Sequence, residues 1–435
     1  MKRQRYHLDT LSNGLRVLRV PAEVGSVFSL VLANTGSRYE VPAVQGIAHF
    51  FEHMAFKGTH KYPTAKDIAM TIDGLGADFN AFTGNEYTGY YIKTASQHAP
   101  IAWEMLAEML LRPVLSPEEI ERERGVILEE MRMYIDSPQA HIGNIFSNLL
   151  YQDSGLGHNI VGNQQTIEKI NENDFKEFLQ TWYSLGNLLL VVAGDKELVD
   201  DADCLAKITS YFSIAPDIKR QSPLAREQFL EQKFTYGPHL HLETRETEQA
   251  HFVLGWPGLA INDDRKYAAT LLQVILGGNM SSRLFTQVRE KLGLCYYVGT
   301  WSDRNLDSGC LGARAGVNLA KIEPALLATI AEFKKLATGK ELIDEAEFAR
   351  AREFVSGQTI LSLESVDNVA ERMGMGYMLR GVIETPQQQL TALQKVTKKQ
   401  VEQLAQQMFK TGELRLAIIG PYSDTKPFEQ ILSTY

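Results

Sequence analysis

The feature that most constrains the fold is an order of predicted strands and helices that occurs twice along the chain. The strand pattern of residues 27–33 returns at 251–255, and that of residues 188–194 returns at 414–420. Helix patterns recur between these strands in the same order, and each half has about 200 residues, an ordinary domain size. The sequence therefore predicts a duplicated α+β chain, in which each of two domains has a mostly antiparallel sheet and packed helices.

The boundary between the two halves is predicted from local composition. Pro216, Pro223 and the polar run at 219–222 interrupt the periodic pattern, which is typical of a surface linker. We therefore predict an N-terminal domain at 1–215, a linker at 216–236 and a C-terminal domain at 237–435.

Composition excludes several classes of function. The 435 residues carry a formal net charge of −9 and no strongly basic stretch, so we predict no nucleic-acid partner. No apolar run is long enough for a bilayer and the N-terminus has no signal-like apolar segment, which predicts a cytoplasmic protein without a membrane partner. The three cysteines, Cys204, Cys295 and Cys310, are odd in number and match neither a disulfide framework nor a thiolate metal site.

A metal-ligand motif lies in the first half of the chain. His49 and His53 are four residues apart, so on a helix both imidazoles reach the same side and can bind one Zn²⁺ ion. Glu52 lies beside them in the order H-x-x-E-H, which is the order of the inverzincins. A carboxylate next to a metal-bound water can act as a general base on that water. Two ordinary histidines on a partly buried helix remain the alternative for these five residues alone.

A third ligand is needed, because a catalytic zinc has three protein ligands and one open position. The acidic helix predicted to begin at Ser116 offers several candidates. Glu123 and Glu130 are seven residues apart and share a helix face, whereas Glu129 lies about 100° away. Spacing does not choose among these acids, and a solvated charged face paired with neighbouring arginines is the alternative.

Residues 49–59 and the segment from Glu123 to Glu130, with its pattern Glu-Arg-x-Val-Ile-x-x-Glu, resemble the pitrilysin family (M16) of metallopeptidases. The resemblance covers nearly the whole chain and is strongest to the mitochondrial processing peptidase β-subunit and its bacterial relatives. It implies a half-clamshell of the processing-peptidase type, with His49, His53 and Glu130 as ligands and Glu123 in support. The second half has no H-x-x-E-H, so one Zn²⁺ ion per chain is expected. Residues 1–215 are then the zinc-binding catalytic domain, and residues 237–435 are a metal-free domain.

The same resemblance implies an activity. The chain is expected to be a zinc-dependent metalloendopeptidase that cuts oligopeptides or unfolded leader segments inside a dimeric chamber. Glu52 is expected to take the proton of the zinc-bound water and then to deliver it to the leaving nitrogen. By ligand type alone, Mn²⁺ and Fe²⁺ also suit two histidines and one carboxylate.

Two further stretches resemble substrate-binding parts of the family. The stretch Asn80-Ala81-Phe82-Thr83 matches an edge strand whose backbone pairs with an extended peptide, with Asn80, Ala81 and Phe82 as the substrate-binding residues, although an ordinary strand end would look the same. In the second half, Arg289 and Tyr296 match a pair that reaches the zinc site of the other half-shell. Arg289 is expected to hold a substrate carbonyl or carboxylate, and Tyr296 to hydrogen-bond the oxyanion.

Retention of both the zinc motif and the Arg289–Tyr296 pair predicts a homodimer with two equivalent sites. A heterodimer with a paralogue is the alternative assembly. Two other functions remain open: a non-catalytic structural or partner subunit of an M16-type complex, and a peptide-binding module that does not cleave. Stoichiometric zinc and peptide turnover distinguish the enzyme from both.

Overall fold

The protein is an α+β structure with two separate sheets. A computed structural model describes residues 4–152, 154–213, 229–230 and 236–435. The strands in chain order are β1 (His7–Thr10), β2 (Arg16–Ala22), β3 (Ser26–Ala33), β4 (Asp78–Thr83), β5 (Thr88–Ala95), β6 (Leu188–Asp195), β7 (Leu240–Thr244), β8 (Gln249–Pro257), β9 (Cys295–Arg304), β10 (Gly309–Asn318) and β11 (Arg415–Gly420).

The α-helices lie between the strands and after them. In chain order they are α1 (Ile47–Met54), α2 (Ala65–Gly74), α3 (Ala99–Leu111), α4 (Pro117–Asp136), α5 (Pro138–Tyr151), α6 (Gln164–Ile167), α7 (Glu172–Trp182), α8 (Lys196–Asp200), α9 (Ala202–Tyr211), α10 (Lys266–Gln273), α11 (Ile322–Ala337), α12 (Glu345–Ser362), α13 (Val366–Arg380), α14 (Pro386–Gln394), α15 (Lys398–Met408) and α16 (Lys426–Ser433). Two π-helical stretches, Val274–Gly278 and Phe285–Lys291, follow α10. Within the described residues, no helix is both long enough and apolar enough to cross a membrane.

The chain forms two compact units, each built from three segments. Unit 1 consists of Met1–Met131, His158–Phe229 and Ser362–Gln387, and unit 2 consists of Arg132–Gly157, Leu230–Leu361 and Gln388–Tyr435. The predicted linker at 216–236 lies outside the described residues, apart from Phe229, Leu230 and Tyr236. The boundaries at 215 and 237 therefore stay a prediction.

The sheet of unit 1 has the order β1-β2-β6-β3-β5-β4, in which only β2 and β6 run parallel. Its central strands are apolar on both faces because both faces are covered. From β3, Val27 and Val31 enter the core that contains α1 and α3, whereas Phe28 and Leu30 face a second apolar cluster. That second cluster is completed by α13, through residues such as Met373.

The sheet of unit 2 has the order β7-β11-β8-β10-β9, and its parallel pair is β7 with β11. This order corresponds to β2-β6-β3-β5-β4 of unit 1. In both sheets the first pair of strands is parallel and the remaining pairs are antiparallel. Helix α5 covers one face, where Ile142 and Phe146 pack with Val253 and Ile419. The duplicated α+β architecture predicted from the sequence is therefore confirmed.

Candidate metal centre

Helix α1 has an apolar side and a polar side, and the positions of its phenylalanines determine which side packs against the core. Phe50 and Phe51 are fully buried in the core of unit 1, so His49 and His53 are directed to the other side. The helix begins after Gly46, whose φ of +94° favours glycine. A Cβ at this position would lie 2.7 Å from Ile167 Cδ1 and 2.8 Å from Gly162 Cα, so glycine is also required by space.

The start of α1 is capped by a residue distant from the usual capping position. Both carboxylate oxygens of Glu40 accept backbone hydrogen bonds, from Gly46 N at 2.7 Å and Ala48 N at 2.8 Å. These donors would otherwise be unpaired at the helix N-terminus. Burial raises the pKa of Glu40 to about 8, against the lowering effect of the two hydrogen bonds. A buried carboxyl group therefore fixes the helix that carries the histidines.

Helix α4 brings the third candidate ligand to the two histidines. Glu130 Oε2 lies 3.6 Å from His49 Nε2 and 3.5 Å from His53 Nε2. Among the residues that the structure describes, these three form the one group of at least three metal-binding side chains, with ligand atoms within 4.8 Å of one another. The structure thus brings together the three residues that the family resemblance assigned to zinc.

The donor set fits Zn²⁺ in type and in spacing. Zinc bound to nitrogen or oxygen at about 2.0–2.1 Å in a tetrahedron places neighbouring donors about 3.3–3.4 Å apart. The separations of 3.5 and 3.6 Å are near this edge length and long for hydrogen bonds. Two imidazoles and one carboxylate also leave a fourth position for water or substrate. The three side chains can therefore hold one zinc ion.

The two histidines have different surroundings. Burial, with a smaller contribution from His53, lowers the pKa of His49 to about 3, so its imidazole is neutral at physiological pH. His53 Nδ1 is 2.8 Å from Glu123 Oε1. When Nδ1 carries the proton and donates it to this carboxylate, Nε2 is free to bind metal.

Glu123 is held in its ionised form. Burial opposes its ionisation, but hydrogen bonds from His53 and Lys57 outweigh that effect and lower its pKa. The Lys57 Nζ to Glu123 Oε2 distance is 2.5 Å. Because the carboxylate remains charged, it can orient the His53 ring and make it a stronger ligand.

Glu52 lies on the same helix but outside the metal group. Thr83 Oγ1, at the end of β4, donates a hydrogen bond of 2.5 Å to Glu52 Oε2. Burial raises the pKa of Glu52, partly offset by Thr83 and His53. A carboxylate with a raised pKa is suited to accept a proton near neutral pH.

The predicted substrate strand is β4, which lies at the end of the sheet order. Asn80 is exposed and its Oδ1 accepts a hydrogen bond of 2.9 Å from Ala81 N. Ala81 is buried, and Phe82 covers Gly89 of the neighbouring strand, where a Cβ would meet the ring at 2.3 Å. The other edge of β4 has no strand partner within the described ranges. Peptide binding there stays a prediction.

Arg289 and Tyr296 both belong to unit 2. The Arg289 guanidinium lies 5.7 Å from the centre of the Tyr296 ring and 4.8 Å from that of Phe285. Tyr296 is 76% exposed and Arg289 is half-buried, so the Tyr296 ring is accessible to a ligand. Their roles in binding a substrate carbonyl and the oxyanion stay predictions.

Three polar residues at the centre were not assigned a role from the sequence. Glu40 gives no local signal, because its partners are six and eight residues away. Lys57 is four residues after His53, a spacing that places both on one side of a continuing helix and could have indicated it. Thr83 belongs to the stretch interpreted as a substrate strand, but its contact with Glu52 spans 31 residues.

Two family models match successive parts of the chain. Residues 22–164 match the family model described as "Insulinase (Peptidase family M16)". Residues 169–355 match the model described as "Peptidase M16 inactive domain". The first match contains all three candidate zinc ligands, and the second contains Arg289 and Tyr296.

Similar full-length proteins are known from several bacteria. The chain is 33% identical to the "Uncharacterized zinc protease YmxG" of Bacillus subtilis, over 95% of this chain and 97% of that protein. It is 34% identical to an "Uncharacterized zinc protease" of Rickettsia bellii, over 96% of this chain and 98% of that protein.

Solved structures show the same fold. A protease from Helicobacter pylori superposes with a TM-score of 0.86 at 24% identity, over 96% of this chain and 100% of that chain. A putative M16-like peptidase from Alicyclobacillus acidocaldarius superposes with a TM-score of 0.80 at 20% identity, over 96% of this chain and 99% of that chain. With two family models and full-length relatives in agreement, this chain belongs to peptidase family M16, the insulinase family.

Proposed function

We propose that this protein is a zinc-dependent endopeptidase that hydrolyses oligopeptides or unfolded leader segments. The observation that carries the proposal is the position of Glu52 on the same helix as two members of a three-ligand group. A structural zinc site is closed by four protein ligands, whereas this group has three and lies beside a candidate general base. The names of the bacterial relatives support the same class of activity.

Zinc held by His49, His53 and Glu130 would supply Lewis acidity toward the scissile carbonyl and toward the attacking water. Glu52 removes a proton from that water as the water attacks the carbonyl carbon. The protonated Glu52 then gives the proton to the nitrogen of the leaving amine as the C–N bond breaks. Glu123 keeps the His53 ring oriented throughout, because it is bonded at the other ring nitrogen.

Substrate binding is proposed to use the free edge of β4. Main-chain hydrogen bonds to residues 80–82 would hold a peptide in extended form without selecting its sequence. Arg289 would then hold a substrate carbonyl or carboxylate, and Tyr296 would donate to the oxyanion. We propose a homodimer, because one chain carries both the metal group and this pair.

The test is hydrolysis of a quenched-fluorescent peptide library by the purified protein. We expect turnover that a chelator removes, that Zn²⁺ restores, and that falls by about 10²–10⁴-fold in Glu52→Gln. Glu118→Gln is the matched control, because it makes the same change at an exposed position on α4. Absence of turnover by zinc-loaded protein would contradict the proposal and favour a non-catalytic subunit. Full activity of Glu52→Gln would exclude this residue as the base.

A further inference from the structure

The contact between Thr83 and Glu52 joins two elements with different predicted tasks. Thr83 is the last residue of β4, the edge strand, and Glu52 lies on α1 among the metal-binding histidines. The hydroxyl donates to Glu52 Oε2 at 2.5 Å. A hydrogen bond between a hydroxyl and a carboxylate is short and roughly twice as strong as one between neutral groups. Thr83 is therefore well placed to fix the rotamer of Glu52.

The hydroxyl occupies only one of the two carboxylate oxygens. Oε1 has no hydrogen-bond donor among the described residues, and it is not one of the buried atoms that lack a partner. Oε1 is thus open to water, whereas Oε2 is taken. Because the donor at Oε2 stabilises negative charge there, a proton arriving from water binds at Oε1 and can leave from the same oxygen.

The hydroxyl is itself fixed by the neighbouring turn. Thr83 pairs with Thr88 across the hairpin of β4 and β5, and residues 84–87 connect the two strands. Ser37 N donates to Gly84 O at 3.3 Å, and Arg38 N donates to Asn85 O at 2.9 Å. The turn therefore cannot move away from residues 37–38 without breaking these bonds.

A buried ion pair strengthens the same attachment. Arg38 Nη1 lies 2.7 Å from Glu86 Oε1, and both side chains are only 3% exposed. The backbone at position 36 lies so close to the turn that only glycine fits there, because a Cβ would lie 2.3 Å from Gly84 O. Breaking a buried ion pair by removing one partner is strongly destabilising, so the pair holds the turn against residues 37–38.

The short segment of residues 37–40 is bonded to the elements that carry both partners of the Thr83–Glu52 hydrogen bond. Residues 37–38 hold the turn that follows Thr83, and Glu40, two residues later, caps the helix that carries Glu52. The base and its hydrogen-bond donor are fixed to the same stretch of backbone. Such an arrangement sets the separation of the two groups before any substrate binds, which is the condition for preorganised chemistry.

We propose that Thr83 is a positioning residue for the general base, which holds Glu52 by Oε2 and directs Oε1 toward the water that attacks the peptide. This inference rests on the proposed peptidase function, since it assigns a role in that reaction. It also gives β4 a second task, because the strand proposed to hold the substrate backbone also orients the carboxylate that activates the water.

The test compares three threonine variants in zinc-loaded protein. Thr83→Val keeps shape and β-branching but removes the donor, and Thr83→Ser restores the donor. Thr88→Val is the matched control on the partner strand, because the Thr88 hydroxyl donates to Thr35 O at 3.0 Å and not to Glu52. For each variant we would measure kcat and KM on one peptide, zinc affinity, melting temperature and a crystal structure.

We expect Thr83→Val to lower kcat by about 10- to 100-fold, the effect of losing one hydrogen bond to a charged group. KM, zinc affinity and melting temperature should change little, and Thr83→Ser should recover most of kcat. Thr88→Val should lower the melting temperature without changing kcat. The crystal structure of Thr83→Val should show Glu52 in a different or multiple rotamers.

Two results would overturn the inference. One is an unchanged kcat in Thr83→Val, and the other is an equal loss in Thr83→Ser, which would indicate a steric role. If wild-type protein has no turnover, the proposed function fails, and the crystal structures still decide the positioning role. An unchanged Glu52 rotamer in Thr83→Val would then refute it.

Discussion

The two units share five strands in the same order. They differ in the helix that follows β3 in unit 1 and its counterpart β8 in unit 2. In unit 1, α1 follows β3 and carries His49, Glu52 and His53. In unit 2, α10 follows β8 and buries alanines and leucines, including Ala268 and Leu272. The difference teaches that the same sheet can support either an apolar helix or a helix with metal-binding side chains, so the candidate metal centre depends on a few polar residues in one unit.

Those polar residues require support that unit 2 does not need. A buried apolar helix is stabilised by packing alone, whereas a buried histidine or carboxylate must be hydrogen-bonded or lose stability. Unit 1 supplies Glu123 for His53, Thr83 for Glu52 and Glu40 for the helix N-terminus. The comparison therefore predicts that polar changes around α1 affect metal binding and stability far more than similar changes around α10.

The largest effect should come from making α1 resemble α10. His53→Leu removes one of three ligands, so we expect bound zinc to fall from one per chain to near zero and turnover to fall at least 10³-fold. Elemental analysis and peptide hydrolysis measure both quantities. The control is His251→Leu in unit 2, whose ring contacts Tyr297, and zinc content should not change. Retention of a full zinc equivalent in His53→Leu would show that the metal is bound elsewhere.

A smaller effect is expected at the supporting carboxylate. Glu123→Gln keeps an acceptor for His53 but removes the charge, so zinc affinity should fall about 10- to 100-fold. Competition with a fluorescent chelator measures this affinity. Glu121→Gln, on the same helix but paired with Arg124 at an exposed position, should leave it unchanged. Equal affinities for both variants would remove Glu123 from the site.

The helix cap should have a measurable effect on stability. Glu40→Ala leaves Gly46 N and Ala48 N without a buried acceptor, and each such group costs about 1–3 kcal/mol. Urea unfolding monitored by tryptophan fluorescence would measure the loss. Asp263→Ala, next to α10 in unit 2, removes exposed bonds to the backbone N and the guanidinium of Arg265 and should cost only about 1 kcal/mol, because an exposed ion pair contributes little. Similar losses in both variants would argue against a special role for Glu40.

Acid should weaken the metal-free protein through His49. Its folded pKa of about 3 lies below the ordinary value of 6.5, so the unfolded chain binds a proton first as pH falls. Stability that is fully present above pH 6.5 is therefore lost progressively between pH 6.5 and 3. Thermal unfolding at pH 7.5 and 5 should show a larger decrease for wild type than for His49→Asn, which lacks this titration. Parallel pH profiles would mean that His49 does not contribute.

The sequence predicted the catalytic motif more completely than its surroundings. His49, His53 and Glu130 could be identified because two lie within one helical turn and the third lies in a long, recognisable pattern. Glu40 and Thr83 could not, because a capping or positioning contact across the fold leaves no periodic signal in the chain, whereas the four-residue spacing of Lys57 from His53 is such a signal. The repeat predicted two domains of the same architecture, since the same pattern of β-strands and helices occurs twice, but it did not predict the order of the strands within each sheet.

The exchange of helices was also beyond sequence reasoning. Helix α5 follows α4 directly along the chain yet belongs to unit 2, and α13 belongs to unit 1 although it lies near residue 370. Amphipathic periodicity shows that a helix has an apolar face, but not which sheet that face covers. Which sheet a helix covers depends on tertiary packing, and that packing involves residues far apart in the chain.

This exchange has a consequence for synthesis on the ribosome. The apolar face of β3 and β6 that α13 covers stays exposed until residues 362–387 have been made, long after the first half of the chain has emerged. Unit 2 includes residues 132–157, which are synthesised before any strand of the sheet that they pack against. Neither unit can therefore be completed during translation by its own contiguous half. The nascent chain carries an open apolar surface for most of its synthesis, and a gene truncated after the first half should yield an aggregating product.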